Sequence, residues 1–242
     1  MSYLILIRHG QSRWNLANKF TGWVDVPLSR RGIKEAEMNA KELRNFKFDI
    51  AFTSELTRAQ ETLLIIISRQ DRTGIFLHRA KKDGDHDRYA TRLDKDEIPI
   101  YSTPLLNERY YGRLQGLDKN EVRKKYGEKK VLEWRRSFAG RPPGGDSLKD
   151  VYKKLIPYFQ KQILPWLKKN KNVIIVAHGN TLRAVIKYLE NITDLAIAQL
   201  ELPNSQPIVY RYHPGRAKKM RRLMGELSFT RTIFWKAPRK KS

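Results

Sequence analysis

Residues 3–15 of the chain are YLILIRHGQSRWN, and this stretch decides which fold is predicted. It contains an apolar run, residues 4–7, without alternating polar residues, as is typical of a central parallel strand covered on both faces. The run stops at Arg8 and His9. Because open α/β sheets bind ligands at the carboxyl ends of their strands, we expect these two side chains at a functional site.

A second stretch repeats this pattern late in the chain. Residues 173–177 form another unbroken apolar run, which His178 and Asn180 follow. Between the two runs, strand and helix patterns alternate: we predict a helix over 30–46 capped by Ser29, a strand over 48–52 and a helix over 56–68. Such alternation indicates an α/β fold with right-handed crossovers. We therefore predict a three-layer α/β/α arrangement with a mostly parallel central sheet.

The remaining elements are shorter. Pro157 and Pro165 should kink or divide a helical segment that begins near Ser147. Residues 79–97 are highly charged and are predicted as an exposed insertion. We predict further strands over 75–78, 98–101, 207–212 and 229–235, and helices over 119–126, 129–137 and 181–189.

Composition favours one globular domain spanning residues 1–242, with a basic C-terminal tail over 213–242. There is no cysteine, which excludes disulfides and thiolate metal sites. The acidic run at 83–94 resembles a calcium loop, but Arg88 stands where such a loop needs glycine, so we expect no metal. Without a membrane-length apolar run or a secretory signal, we expect a cytoplasmic protein that does not associate with membranes.

The net charge is unusual for a globular chain. Lys and Arg number 49 against 25 Asp and Glu, a formal net charge of +24. Partners should therefore be anionic. Nucleic acid, an acidic membrane surface and phosphorylated metabolites all meet that description, and charge alone does not separate them.

Two histidines at strand ends, with arginines nearby, indicate phosphoryl chemistry. Arg8, Arg58 and one or both of Arg135 and Arg136 could surround a phosphoryl group with forked donors. A neutral imidazole held in one tautomer is a good phosphoryl acceptor, and either His9 or His178 could serve.

A proton donor and acceptor for a substrate hydroxyl is also needed. Glu108 is the natural candidate because a carboxylate beside a phosphate site suits general acid–base work. The alternative is a surface glutamate paired with Arg109.

These residues lie within a series of motifs that resembles the cofactor-dependent phosphoglycerate mutases of the histidine phosphatase superfamily. The motifs run in order over most of residues 3–212. They are LIRHGQSRWN at 6–15, FTGW at 20–23, TS at 53–54 with RA at 58–59, NERYYG at 107–112, LQGL at 114–117, WRR at 134–136 and AHGN at 177–180.

The resemblance implies a phosphoglycerate mutase-like fold and the interconversion of 3-phosphoglycerate and 2-phosphoglycerate, primed by 2,3-bisphosphoglycerate and without a metal. It makes His9 the phosphorylated nucleophile, His178 the histidine that stabilises the transferring group, and Glu108 the proton donor and acceptor. Arg8, Arg58 and Asn15 would complete the phosphate pocket. The substrate carboxylate and second phosphate would be held by Thr21, Gly22, Tyr111, Lys119, Arg135, Arg136 and Asn180.

The resemblance also implies phosphoglycerates as the partners, and we expect a homo-oligomer (dimer or tetramer). No RNA- or DNA-reading motif is recognisable, so we expect no specific nucleic acid. Gln11 stands where this family usually has Glu, which removes a negative charge near the phosphohistidine and should tune the rate. The alternative activity is a phosphomonoesterase of the same superfamily, which needs only His9, His178, Arg8 and Arg58. A nucleic-acid or membrane-surface binder is the alternative from another class.

Overall fold

The computed structural model describes residues 2–77, 93–202 and 206–212, together with the backbone of residues 229–232. Its centre is one seven-stranded sheet with the order β3-β4-β2-β5-β1-β6-β7. The strands are β1 Ser2–Arg8, β2 Ile50–Thr53, β3 Thr73–Phe76, β4 Glu97–Ser102, β5 Val173–Ala177, β6 Ile208–Tyr212 and β7 Phe229–Thr232.

The sheet is mixed, with its parallel part on one side of β1. The pairs from β3 through β4, β2 and β5 to β1 are parallel. On the other side, β6 pairs with β1 and β7 pairs with β6, and both pairs are antiparallel. The prediction of a mostly parallel sheet is confirmed, although β1 itself has one antiparallel neighbour.

Eight α-helices connect the described strands. They are α1 Arg13–Leu16, α2 Arg30–Leu43, α3 Thr57–Ile67, α4 Lys119–Tyr126, α5 Glu128–Arg136, α6 Leu148–Tyr158, α7 Leu164–Lys168 and α8 Gly179–Leu189. Ser29 caps α2 as predicted, since its hydroxyl accepts from the Gly32 N–H at 3.1 Å. A π-helical turn, Phe159–Ile163, separates α6 from α7, so the segment that contains the two prolines is divided.

Alternation along the strands explains the three layers. In β1, Leu4 and Leu6 belong to a core cluster with α6 and α8, whereas Ile5 and Ile7 belong to a cluster with α2 and α3. Successive side chains of a strand point to opposite faces, so an unbroken apolar run serves both clusters at once. The predicted α/β/α layering is confirmed.

A small third cluster builds the part of the molecule that lies over the site. It joins α4 and α5 to the loop after α1 through Phe20, Leu114, Val122, Val131 and Trp134. These two helices pack mainly on each other, outside the two main cores, and they carry the cations discussed below.

One prediction needs correction, and two concern segments that lie mostly outside the described residues. The helical spacing of Ile33, Ala36, Ala40 and Leu43 predicts that all four lie on one buried face of α2. Ile33, in the first turn, is instead 41% exposed, whereas the other three are buried. Most of the insertion at 79–97 and most of the tail at 213–242 fall outside the described residues. Among the residues that are described, no helix is both long and apolar enough to cross a membrane.

Candidate active site

His9 lies at the carboxyl end of β1, where its backbone N–H still donates to the Ala177 carbonyl of β5 at 3.0 Å. Its Nδ1 lies 2.6 Å from the carbonyl oxygen of Gly10. A carbonyl oxygen only accepts, so Nδ1 carries the hydrogen and the lone pair of the neutral ring is on Nε2. Burial, followed by the positive charges of Arg58 and Arg8, lowers the pKa of His9 well below its ordinary value.

The turn that bears His9 is fixed by backbone contact with α2. A Cβ atom on Gly10 would collide with the carbonyl group of Gly32, and one on Gly32 would collide with the backbone of Gln11. The Gly10 N–H donates to Thr62 Oγ1 at 3.2 Å. The Gly10 carbonyl that sets the His9 tautomer is thus held from two sides.

His178 lies beside His9 because β5 is the neighbour of β1. The ring centroids are 4.9 Å apart with an interplanar angle of 60°. His178 is fully buried. Burial and the charges of Arg58, His9 and Arg8 lower its pKa well below the ordinary value, so both rings are neutral at neutral pH.

Ser54, which follows β2, contacts one ring nitrogen of His178. Its Oγ accepts from the Leu56 N–H at 3.2 Å and lies 2.7 Å from His178 Nε2. When this hydroxyl donates to Nε2, the hydrogen of the neutral ring is on Nδ1. Within the described residues, Nδ1 has no hydrogen-bond partner.

Two arginines complete this inner end of the site. Arg58, in the first turn of α3, is 1% exposed and donates to the carbonyls of Gly22 at 2.7 Å and Val24 at 3.1 Å. Burial lowers its pKa to about 10. Arg8 donates from Nη1 to the Leu202 carbonyl at 2.8 Å, and burial lowers its pKa as well.

Glu108 faces the same space from the loop before α4. Its Oε1 accepts from the Arg109 N–H at 2.8 Å, from the Asn180 N–H at 3.2 Å and from Asn180 Nδ2 at 3.0 Å. The Arg109 guanidinium turns away and contacts Tyr111 Oη at 3.2 Å. Glu108 is therefore held by N–H donors, and the Arg109 side chain does not form the surface pair considered above.

The outer end is formed by α4, α5 and Tyr111. Burial, followed by the charges of Arg135 and Arg8, lowers the pKa of Lys119 to about 8. Burial also lowers the pKa of Arg135. Arg136 is paired with Glu201, with Nη2 and Oε1 2.5 Å apart. Tyr111 Oη accepts from Arg109 and from Asn180 Nδ2, each at 3.2 Å.

Most of these groups line one cavity of about 320 Å³. The structure brings every predicted site residue except His178 to its wall, namely Arg8, His9, Asn15, Thr21, Gly22, Arg58, Glu108, Tyr111, Lys119, Arg135, Arg136 and Asn180. His178 is not among the lining residues, but its ring centroid is 4.9 Å from that of His9.

Several wall residues were not predicted: Lys19, Arg183 and Glu201. Arg183 is buried in α8 and donates to the carbonyls of Arg136 at 2.7 Å and Ile197 at 2.6 Å. The sequence signal that could have identified Arg183 is its charge among the apolar residues of α8. Gln11 is not among the residues that line the cavity, since its Oε1 accepts from Ser29 Oγ at 2.9 Å.

The site can bind phosphoryl oxygens, offer an unprotonated imidazole nitrogen and transfer a proton. A family model agrees with that chemistry: residues 4–80 and 88–223 match the histidine phosphatase superfamily (branch 1), and the chain belongs to this superfamily. Two relatives narrow the assignment. The chain is 47% identical over 232 residues to the 2,3-bisphosphoglycerate-dependent phosphoglycerate mutase of Methanosarcina acetivorans, covering 89% of this chain and 94% of the relative.

It is also 49% identical over 220 residues to 2,3-bisphosphoglycerate-dependent phosphoglycerate mutase 1 of Gloeobacter violaceus, covering 87% of this chain and 93% of the relative. Within the superfamily, the chain therefore belongs to the family of the 2,3-bisphosphoglycerate-dependent phosphoglycerate mutases.

Solved structures support the fold. A structure titled mycobacterial hydrolase 1 superposes with a TM-score of 0.74 at 20% identity, covering 96% of this chain and 98% of that one. A mycobacterial glucosyl-3-phosphoglycerate phosphatase in complex with VO3 has a TM-score of 0.71 at 20% identity and the same coverage.

Proposed function

We propose that the chain interconverts 3-phosphoglycerate and 2-phosphoglycerate through a phosphohistidine, primed by 2,3-bisphosphoglycerate. One observation supports this activity above all: a single cavity joins His9, whose ring lies beside His178, at its inner end to Lys119, Arg135 and Arg136 at its outer end. A phosphatase needs only the inner end. An enzyme that holds a phosphoglycerate at both charged groups needs the outer end as well.

The donor set fits a ligand with several negative charges. Arg8, Arg58, Lys119, Arg135 and Arg136 all line the cavity, and burial removes competing water from most of them. When bound, 2,3-bisphosphoglycerate supplies the phosphoryl group that primes the enzyme.

In this proposal, His9 Nε2 is the nucleophile. Its lone pair is available because the Gly10 carbonyl holds the hydrogen on Nδ1 and because burial keeps the ring neutral. Arg8 and Arg58 neutralise the charge that develops on the phosphoryl oxygens. His178 Nδ1–H, left without a partner by the Ser54 contact, donates to one of those oxygens.

Glu108 moves the proton in the proposed reaction. It accepts the proton of the substrate hydroxyl as that oxygen attacks the phosphorus on His9, which gives the bisphosphate. It then protonates the oxygen that is released when the other phosphoryl group passes to His9. Oε1 is oriented by three N–H donors, so the carboxylate needs no reorientation during turnover. Lys119, Arg135, Arg136 and Tyr111 hold the carboxylate and the second phosphate, with Asn15, Thr21, Gly22 and Asn180 completing the binding wall.

We further propose that the whole chain is one catalytic domain, that it works in the cytoplasm as a homo-oligomer, dimer or tetramer, and that nucleic acids are not specific partners. One continuous sheet, with strands from residues 2–8 to 229–232, supports the single domain. Light scattering of the purified chain tests the oligomer.

The activity is tested with 3-phosphoglycerate in the presence and absence of the bisphosphate primer. Phosphorus NMR follows the substrate, the isomer and inorganic phosphate in one tube. We expect nearly stoichiometric isomerisation that the primer stimulates. Net release of inorganic phosphate would instead indicate a phosphomonoesterase. Salt-resistant, sequence-selective nucleic-acid binding without turnover would contradict the proposal altogether.

A further inference from the structure

A short segment, Leu200, Glu201 and Leu202, closes one side of the cavity. All three residues line it. The segment is tied to two of the site's arginines. The carbonyl of Leu202 accepts from Arg8 Nη1 at 2.8 Å, and the carboxylate of Glu201 pairs with Arg136 Nη2 at 2.5 Å.

Glu201 adds a negative charge to a cavity wall whose charged residues are mostly cations. Among the described residues that line the cavity, only Glu108 and Glu201 carry a carboxylate. Glu108 is immobilised by backbone and amide donors. Glu201 is 76% exposed and pairs with Arg136, which is itself 33% exposed. A carboxylate so placed repels an anionic ligand and neutralises a cation that the ligand would use.

We propose that Glu201 competes with the second anionic group of the substrate: it occupies Arg136 in the free enzyme and must be displaced when that group binds. This inference rests on the proposed function. The carboxylate oxygen of Glu201 takes the position on the Arg136 fork that a ligand oxygen would take. Its exposure allows it to turn out into solvent when a stronger anion arrives.

The free energy spent on displacing Glu201 depends on whether the ligand has a second anionic group that reaches Arg136. A phosphoglycerate reaches both ends of the cavity and compensates for the lost pair with its own contact to Arg136. An anion that fills only the inner end leaves Glu201 in place. Glu201 therefore weakens the binding of the full substrate and leaves inner-end ligands nearly unaffected.

The test is Glu201→Gln, which keeps the size and removes the charge. We measure kcat and KM for 3-phosphoglycerate, and the inhibition constant of inorganic phosphate as the inner-end probe. Exposed ion pairs shift equilibria by roughly two- to five-fold, so we expect KM to fall by that factor with kcat little changed. The inhibition constant of inorganic phosphate should change less, and the effect on KM should shrink at high salt.

The matched control is Glu133→Gln. Glu133 lies on α5 with Arg136, and its carboxylate pairs with Lys130 at 3.0 Å with both side chains about half exposed. Glu133→Gln changes the net charge by the same amount as Glu201→Gln but does so away from the cavity wall. KM should therefore stay at the wild-type value. Glu201→Asp keeps the charge and should stay near wild type as well.

An unchanged or raised KM in Glu201→Gln would overturn the inference, since a raised KM means that Glu201 positions Arg136. Equal gains for 3-phosphoglycerate and inorganic phosphate would overturn it too, because the effect would then be one of overall charge. A wild-type protein that does not isomerise 3-phosphoglycerate contradicts the proposed function. Isomerisation with an insensitive KM contradicts only the role of Glu201.

Discussion

The two ends of the cavity are built differently. The inner end, with His9, His178 and Arg58, lies on strand ends and the first turn of α3, is buried, and is held by hydrogen bonds to backbone carbonyls or to Ser54. The outer end, with Lys119 and Arg136, lies on α4 and α5, which have their own small core. In the proposed function, the sheet thus positions the reacting groups, whereas the substrate-binding cations lie on a separately packed helical pair. Changes at the inner end should act on kcat and changes at the outer end on KM.

The largest effect is expected for His9→Ala. Without the imidazole there is no acceptor for the phosphoryl group, so phosphoenzyme formation and turnover should both fall by at least about 10³-fold. Rapid-quench labelling from the primer and the isomerisation assay measure the two quantities. Appreciable isomerisation by this variant would break the assignment of chemistry to the inner end.

Glu108→Gln should distinguish phosphoenzyme formation from isomerisation, which both take place at the inner end of the cavity. The amide can still accept hydrogen bonds from Asn180, but it cannot take the hydrogen of the substrate hydroxyl. Isomerisation should therefore fall by about 10²-fold or more. Formation of the phosphoenzyme should be spared by comparison. Equal losses in both measurements would mean that Glu108 acts on the phosphoryl group itself.

Ser54→Ala tests how the inner end is oriented. Losing one buried hydrogen bond to His178 Nε2 should lower kcat roughly tenfold and leave KM unchanged. Nitrogen NMR of labelled histidine should show His178 protonated on Nδ1 in the wild type and in both tautomers in the variant. Thr53→Val is the control, since it removes a neighbouring buried hydroxyl that contacts the Val176 carbonyl instead. A wild-type spectrum in Ser54→Ala would contradict the tautomer assignment.

The smallest expected effect is the change in kcat/KM with pH, which depends on Lys119 at the outer end. The pKa of Lys119 is about 8, so its ammonium group loses its proton, and its attraction for the substrate, as pH rises through that value. We expect kcat/KM to fall about two- to five-fold between about pH 7 and pH 9. Lys119→Arg keeps the positive charge and should flatten this alkaline limb. An identical limb in that variant would assign it to another group.

Much of the fold could be predicted because strand and helix periods are local properties. The residue bounds of β5 and α4 agree with the prediction, since turn residues and buried runs mark both ends. The strand predicted at 48–52 begins later, at Ile50, because Phe48 is buried but lies outside the ladder. The antiparallel partner of β1 could not be predicted, because an unbroken apolar run is the same whichever way its neighbour runs.

The site shows the same division. Side chains that follow strands, such as His9 and His178, were predictable because topology brings strand ends together. Arg183 and Glu201 were not. Arg183 is buried within α8, where a charged residue usually marks the exposed face, and it satisfies backbone carbonyls from distant elements. Glu201 reaches Arg136 across 65 residues of sequence, and no local pattern encodes such a pair.

One contact beside the site has an optical consequence. Trp23 is 44% exposed, stands edge-on to Tyr110 at 6.0 Å, and donates its indole N–H to the backbone carbonyl of Glu108. The same loop supplies the Gly22 carbonyl that Arg58 holds. The indole therefore contacts the residue proposed to carry the proton and lies next to the residue whose carbonyl Arg58 holds. Its fluorescence is a built-in signal for occupancy of the cavity, and the wild-type minus Trp23→Phe difference isolates it from the other tryptophans.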